Sequence, residues 1–572
     1  MNRKQRRAAL KQKLPGGAVA DPAAQLFAEA VALQRQNKYA DATRAYKRVL
    51  LIKPDHAEAN NNLGIVLLAQ GKASEASAHF ARALTLMPQL FEQYQGICAT
   101  LVAVLPPIGQ AIRKTLAAWP KRLTGEEMFG SAGVVAIAGD PLLRCLLQSV
   151  PVRELALERM LTSLRAALMS ESATDSVIEL GCALARQCFI NEYVFATTPK
   201  EDVWVDELKS AIAAGGDVSP MQLVALAMYL PLYALPNTDA LIGRRWPPAV
   251  ADLLTQQIRE PAQELVLRAS IPRLTEITEI EDHVSRRVQQ QYEENPYPRW
   301  VHVAGQVVPV SIDQYLRDMF PVAPLTPLGK TEELETLVAG CGTGWHAIEL
   351  TQKFRGARVL AVDLSATSLA FAKRSTPVRL IDRIDYAQGD ILKLGSLART
   401  FDVIDASGVL HHMADPMQGW RILLALLRPG GLMHVGLYSE LGRRDVVKAR
   451  AFIAERGLGA TPAEIRVARQ ELLEMPLRSL VRFSDFFATS ECRDLLFHVQ
   501  EERVTIPAIK NFLAEENLRF LGFEFDAANL QRYRTAFAHE GWSMTDLDRW
   551  HVLETEYPDT FSGMYQLWVQ KS

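Results

Sequence analysis

The chain has 572 residues, a formal net charge of −2 and a pI near 6.6. At about 150 residues per domain that length makes three or four units with substantial cores, and the balanced charge excludes a global pull toward nucleic acid or anionic membrane. No apolar run reaches the ~18 residues of a membrane span, and the six scattered cysteines form neither a Cys-x-x-Cys pair nor a Cys/His cluster at zinc spacing. Reduced thiols, no metal and a cytoplasmic setting are therefore expected.

Residues 1–22 begin with MNRKQRRAALKQK, which sets Arg3, Lys4, Arg6, Arg7, Lys11 and Lys13 into thirteen positions. The adjoining PGGAVADPAAQ has no long apolar core, so the segment is not a secretory signal. It reads as a disordered, solubilising arm. Its other reading is contact with an anionic partner, RNA, ribosome or lipid surface, and nucleic acid is not expected elsewhere on the chain.

From 23 to 94 the chain repeats with a period of 34. Aligning Ala23 with Ala57 pairs Leu26 with Asn60, Ala30 with Gly64, Leu33 with Leu67, Ala42 with Ala76, Tyr46 with Phe80, Val49 with Ala83 and Pro54 with Pro88. Small residues stand where two helices touch, a large one fills between them, and a proline ends each unit. The segment resembles tetratricopeptide repeats. Two copies are clear, whereas such arrays need about three units to bury a continuous core, so they must pack on the helical region C-terminal to them. The resemblance implies a groove for a protein or peptide partner; a spacer or self-association surface is the alternative.

Residues 95–285 show helical spacing in PLLRCLLQSVPVRELALERMLTSLRAAL (141–168) and SVIELGCALARQCFINEYVFA (176–196), and predict a helical domain bounded by Pro106-Pro107 and Pro247-Pro248. Cys182 and Cys188 are expected in its core. Residues 286–330 carry QQYEENPYPRW, whose two prolines and Tyr292, Tyr297 and Trp300 make a stiff aromatic segment.

The last segment, 331–572, holds the most informative stretch, ETLVAGCGTGWHAIEL. Gly340, Gly342 and Gly344 fall on a turn between an apolar strand and a helix, where glycine permits positive φ and keeps Cβ atoms away from a ligand. The spacing is Gly-x-Gly-x-Gly rather than the dinucleotide Gly-x-Gly-x-x-Gly, so a ligand without a pyrophosphate fits better. ARVLAVD (357–363) is a second strand ending in Asp363, 23 positions after Gly340 and succeeded by Leu364. An acid there can accept both ribose hydroxyls of an adenosine ligand. YAQGDILKL presents Asp390 beside Ile391, FDVIDASGVLHHM (401–413) is a fourth strand running into a loop with His411 and His412, and LLRPGGLMHVGLYS (426–439) is a fifth strand. Strands are also expected at 520–525 and 564–571. Either acid can instead be a helix N-cap.

This segment resembles class I S-adenosylmethionine-dependent methyltransferases. The resemblance implies a Rossmann-like seven-stranded sheet and S-adenosylmethionine as cofactor. Gly340, Gly342 and Gly344 would line its methionine part, Asp363 would hold the ribose, and Asp390 and Ile391 would flank adenine. Ser407 would open the active-site loop, and Tyr292, Asn295 and Tyr297 would cover the cofactor; a packed interdomain linker is the other reading of that segment. Such motifs carry an acid two places before the first glycine, toward the methionine ammonium. Here that place is Val338, so another group must supply the contact.

Residues 440–519 are a mostly helical insert, far longer than an ordinary connection. They predict a lid over the acceptor pocket, with Phe486, Phe487, Arg493 and His498 as candidate wall residues, although each phenylalanine taken singly reads as core filling. His411 or His412 is the candidate general base, since histidine titrates near neutral pH. The whole is expected to be α+α/β: a tetratricopeptide array and a helical domain, then the methyltransferase sheet with its insert. The expected function is methylation of a protein docked through the repeats, with small-molecule methylation, or a scaffold that only binds cofactor, as alternatives.

Overall fold

The computed structural model describes residues 21–87, 97–274, 280–303, 308–525, 527–537 and 544–572. The basic residues Arg3 to Lys13, and Pro88, lie outside them. The chain divides into two compact units, one formed by Met1–Gln110 with Gly139–Ser149, the other by Ala111–Ala138 with Val150–Ser572.

In the first unit the repeats form four helices, α1 (Pro22–Arg35), α2 (Tyr39–Ile52), α3 (Ala57–Ala69) and α4 (Ala73–Leu86). The small positions Ala23, Ala30, Ala42 and Ala76 are fully buried with Tyr46 and Phe80. Gly64 shows why size matters there: a Cβ on it would lie 2.8 Å from the Phe80 ring. The third layer comes from α5 (Pro141–Ser149), within the expected helical domain, which packs against α4. Asp140 accepts from the Ser77 hydroxyl at 2.9 Å, and the Ser77 oxygen accepts from the Leu142 N–H at 3.2 Å. An apolar face that two repeats leave open is covered by whichever later helix matches it, and the expected boundary at residue 95 does not separate the compact units.

In the second unit, helices including Leu155–Leu168, Asp175–Ile190, Pro199–Ala213 and Pro220–Ala227 form an apolar layer, with Cys182 and Cys188 buried inside. Burial pushes both thiols up to about 12. The cover begins with α6 (His283–Glu294), capped by the Asp282 carboxylate on the Ser285 N–H. The seven strands are β1 (Leu334–Ala339), β2 (Ala357–Asp363), β3 (Ile384–Gln388), β4 (Phe401–Ala406), β5 (Leu427–Leu437), β6 (Leu518–Phe523) and β7 (Tyr565–Lys571). Their order is β3-β2-β1-β4-β5-β7-β6, parallel except that β7 runs antiparallel to both neighbours. The order reverses between β1 and β4, which places a ligand crevice at their C-terminal ends.

Helices α7 (Trp345–Lys353) and α8 (Ala366–Ser375) come after β1 and β2, and α9 (Pro416–Leu426) comes after β4. Both sheet faces are buried. Leu337, Val362, Ile404 and Val435 lie on one side, while Val338, Ala361, Val403 and Leu432 lie on the other. This explains strands that read as continuous apolar runs rather than alternations.

The insert folds as α10 (Arg444–Glu455), α11 (Pro462–Glu474), α12 (Thr489–Phe497) and α13 (Ile506–Glu515). It is anchored to the helical layer. Arg469 on α11 donates to both Glu158 oxygens at 3.2 and 2.9 Å, and to the Val194 and Phe486 carbonyls, with both side chains buried.

Candidate active site

Gly340, Gly342 and Gly344 take φ of 72°, 52° and 86°. This left-handed backbone lets the chain turn from β1 into α7 without Cβ strain. Their missing Cβ atoms face protein. A Cβ on Gly340 would lie 2.4 Å from Val409, one on Gly342 2.5 Å from the Tyr297 carbonyl oxygen, and one on Gly344 2.6 Å from the Ala372 Cβ. The glycines thus let the cover, the loop after β4 and α8 close on the turn, and the cleft forms where these meet. Its volume is about 280 Å³, and it opens to solvent.

Gly340, Gly342, Asp363, Leu364, Asp390, Ile391, Ser407, Tyr292, Tyr297 and His412 all line this cleft. Asp363 accepts from the Gly342 N–H at 2.8 Å and the Ser365 N–H at 2.8 Å, binding the β2 tip to the glycine turn. Burial pushes its carboxyl up to about 6, against the pull of those two donors. Asp390 Oδ1 caps the turn C-terminal to it through the Leu392 N–H at 3.0 Å. Its Oδ2 is buried and accepts nothing at hydrogen-bond distance, although Ser285 stands nearby. A capping role and an oxygen without a close partner therefore coexist in one residue. A bound adenosine offers what these groups lack: ribose hydroxyls for Asp363, an amino donor for Asp390, and an apolar base between Leu364 and Ile391. The residues fit S-adenosylmethionine.

Gly344, Asn295 and His411 are not among the lining residues. Gly344 is the N-cap of α7. Asn295 caps the end of α6 and accepts from Arg493 of the insert. His411 packs its ring on Tyr438, centroids 3.8 Å apart, and both its nitrogens lack partners at hydrogen-bond distance. Burial and the neighbouring His412 hold it well below its ordinary range, so it is neutral. Of two adjacent histidines on a short helical turn, one faces the cleft and one the core.

The predicted wall residues stand behind the cleft. Phe486 and Phe487 form the insert's own core, and Arg493 pairs with Glu294 at 2.8 Å. His498 and Asp494 back the cover. The Tyr292 hydroxyl donates to Asp494 Oδ1 at 2.6 Å and lies 3.2 Å from His498 Nε2, while His498 Nδ1 accepts from the Gln500 N–H at 3.0 Å. His498 therefore carries its proton on Nε2 and donates it to the tyrosine oxygen. His412 Nδ1 faces the Gln500 carbonyl at 3.0 Å, which puts its proton there and leaves Nε2 with a lone pair, 4.0 Å from Asp494. His412, Asp494 and His498 have the side chains of a metal site. Yet the two imidazoles stack at 3.7 Å and 21°, so their in-plane lone pairs run side by side rather than converging on one ion. The cluster is a hydrogen-bond relay.

The cover docks on the turn directly: the Thr343 N–H donates to the Tyr297 carbonyl at 3.3 Å, and Trp300 Nε1 to Thr343 Oγ1 at 3.1 Å. Trp345, His346, Met413, Met564 and Gln566 also line the cleft and had no motif to announce them. Asp405 stands behind the lining, and the strand FDVIDA shows it only as one of two acids, with Asp402.

A methyltransferase-domain family matches residues 337–435, and a tetratricopeptide-repeat family matches 27–90. The chain thus carries a tetratricopeptide-repeat segment and a methyltransferase-domain segment. The cofactor of that domain is S-adenosylmethionine. An uncharacterised protein of Synechococcus is 31% identical over 198 residues, 33% of this chain and 48% of that one. The ubiquinone biosynthesis O-methyltransferase of Methylocella silvestris is 38% identical over 178 residues, 31% of this chain and 64% of that enzyme. The malonyl-[acyl-carrier protein] O-methyltransferase of Halalkalibacterium halodurans is 35% identical over 116 residues, 20% and 41% of the two chains. The matches thus span between 41% and 64% of these relatives' own length. The structure of PKMT2 from Rickettsia typhi with AdoHcy aligns with a TM-score of 0.37 at 16% identity, over 46% of this chain and 53% of that one. No described helix is long and apolar enough to cross a membrane.

Proposed function

We propose that the chain is an S-adenosylmethionine-dependent methyltransferase acting on a protein acceptor docked through its repeats. The observation that carries the catalytic reading is a single cleft lined by the glycine turn, Asp363, Asp390 and His412 together. When bound, the cofactor supplies a methyl group on a positively charged sulfur.

The chain's own residues would orient the acceptor along one line of approach, which is worth about 7–11 kcal/mol. Proton removal adds about 10²–10⁴ in rate, or ~3–5 kcal/mol, so positioning is the larger effect. His412 suits the base role. Burial holds it below its ordinary range, so it is neutral and ready to accept. The Gln500 carbonyl fixes its tautomer, and Asp494 stands where an imidazolium would need a counter-charge. Tyr292 and Tyr297 close the cleft over the reacting centre.

The tetratricopeptide match supports a protein acceptor, since such repeats commonly hold peptides. A second reading, transfer to oxygen on a small molecule, is favoured by the relatives named as O-methyltransferases. A methyl-tritium transfer assay on cell lysate, with wild type and Asp363→Ala, separates the two. Label in macromolecules that disappears with Asp363→Ala supports the protein reading, label confined to metabolites refutes it, and no transfer with wild type leaves only a cofactor-binding scaffold.

A further inference from the structure

Val338 on β1 is the registered partner of Asp405 on β4. Partners in adjacent parallel strands point to the same sheet face, so the carboxylate missing from one strand stands on the next, beside it. Every residue of β4 is buried, and a carboxylate in such a place costs several kcal/mol unless it is paired. Asp405 Oδ2 is paired: His434 Nδ1 on β5 lies 2.7 Å away, and the His434 ring is held by stacking on Trp568 at 4.9 Å.

The other oxygen is less committed. Oδ1 accepts only the Ser407 N–H, at 3.2 Å, and lies 3.8 Å from His346 Nδ1. Ser407 and His346 both line the cleft, and Asp405 stands directly behind them. The surroundings also shift the three carboxylates in different directions. Burial pushes Asp363 and Asp390 up. Burial pushes Asp405 the same way, but His434 and His346 outweigh it and hold the carboxyl below its ordinary range.

We propose that Asp405 Oδ1 accepts from the ammonium of the cofactor's amino-acid tail, replacing from β4 the acid that β1 lacks at Val338. This rests on the reading of the cleft as an S-adenosylmethionine site. His434 acts through Asp405 as a positioning residue, keeping the carboxylate turned and ionised.

The test is calorimetric titration of the full chain with two probes. S-adenosylhomocysteine carries the ammonium, and 5′-methylthioadenosine has the same nucleoside and thioether without the amino-acid tail. Asp405→Asn is expected to weaken S-adenosylhomocysteine about 10- to 100-fold, the scale of a hydrogen bond to a charged group, and methylthioadenosine less than about twofold. Adding Val338→Asp to that variant restores most of the lost affinity. Equal weakening of both probes assigns Asp405 a structural role and overturns the proposal, as does unchanged affinity for S-adenosylhomocysteine. Wild type that binds neither probe overturns the cleft assignment itself. Should Asp405→Asn not fold, a crystal structure of wild type with S-adenosylhomocysteine decides: the ammonium at hydrogen-bond distance from Oδ1 supports the proposal, and an ammonium held elsewhere overturns it.

Discussion

Tyr292 of the cover donates its hydroxyl to Asp494 of the insert at 2.6 Å, while its ring lines the cofactor cleft. One side chain thus presents an apolar face to the ligand and spends its polar end on the element behind. Tyr292→Phe is expected to leave S-adenosylhomocysteine affinity within about threefold, under 1 kcal/mol. It should lower unfolding stability by ~1.5–3 kcal/mol, because a buried carboxylate loses its donor. Calorimetry and urea unfolding read the two effects separately.

The parts of this site that were legible in the sequence are local. A strand, a glycine turn and a helix in sequence, or a strand ending in Asp363, announce themselves within a dozen residues, and the repeats do so by their period. What could not be read depends on residues far apart in the chain. Asn295 looked like a cofactor cover because Arg493, which claims its oxygen, lies in the insert. Phe486 and Phe487 taken singly read as core filling, and they lie in the insert's own core, because a helical insert must fill that first. Asp405 was visible only as one of two acids in FDVIDA, and its meaning needs the register that sets it beside Val338.

The Arg469–Glu158 pair joins the insert to the helical layer with both charges buried. Arg469→Met should destabilise by ~3–5 kcal/mol, leaving an uncompensated carboxylate, and adding Glu158→Leu should recover most of that. Denaturant midpoints of the three proteins check it; additive losses would show that the two residues act independently.

Asp363 gives the site a pH dependence. Its folded-state pKa, about 6, lies above the ordinary carboxylate value, so ionisation costs the fold roughly 3 kcal/mol above that pH. The penalty fades as pH falls through about 6 toward the unfolded value. Ligand binding runs the other way, because ribose hydroxyls need the ionised acceptor. Affinity for S-adenosylhomocysteine should fall as pH drops through about 6, and Asp363→Asn should bind weakly and without that slope. Calorimetry across this range measures both.

Gly342→Ala places a Cβ 2.5 Å from the Tyr297 carbonyl at a φ of 52°. The cover must lift, so cofactor affinity should drop at least about tenfold, or ~1.4 kcal/mol. Proteolysis near Tyr297 should quicken in parallel. Gly457→Ala, at a φ of 66° with nothing within 4 Å, is the control: it should cost ~1–2 kcal/mol of stability and leave affinity unchanged.

On the proposed function, the cleft between β1 and β4 binds S-adenosylmethionine and Asp363 holds its ribose. Calorimetric titration of the full chain, wild type against Asp363→Ala, tests it most directly. One site per chain is expected in wild type, and a loss of at least about 30-fold, or ~2 kcal/mol, in the variant. Wild type that takes up no S-adenosylmethionine, or a variant that binds it equally well, would contradict it.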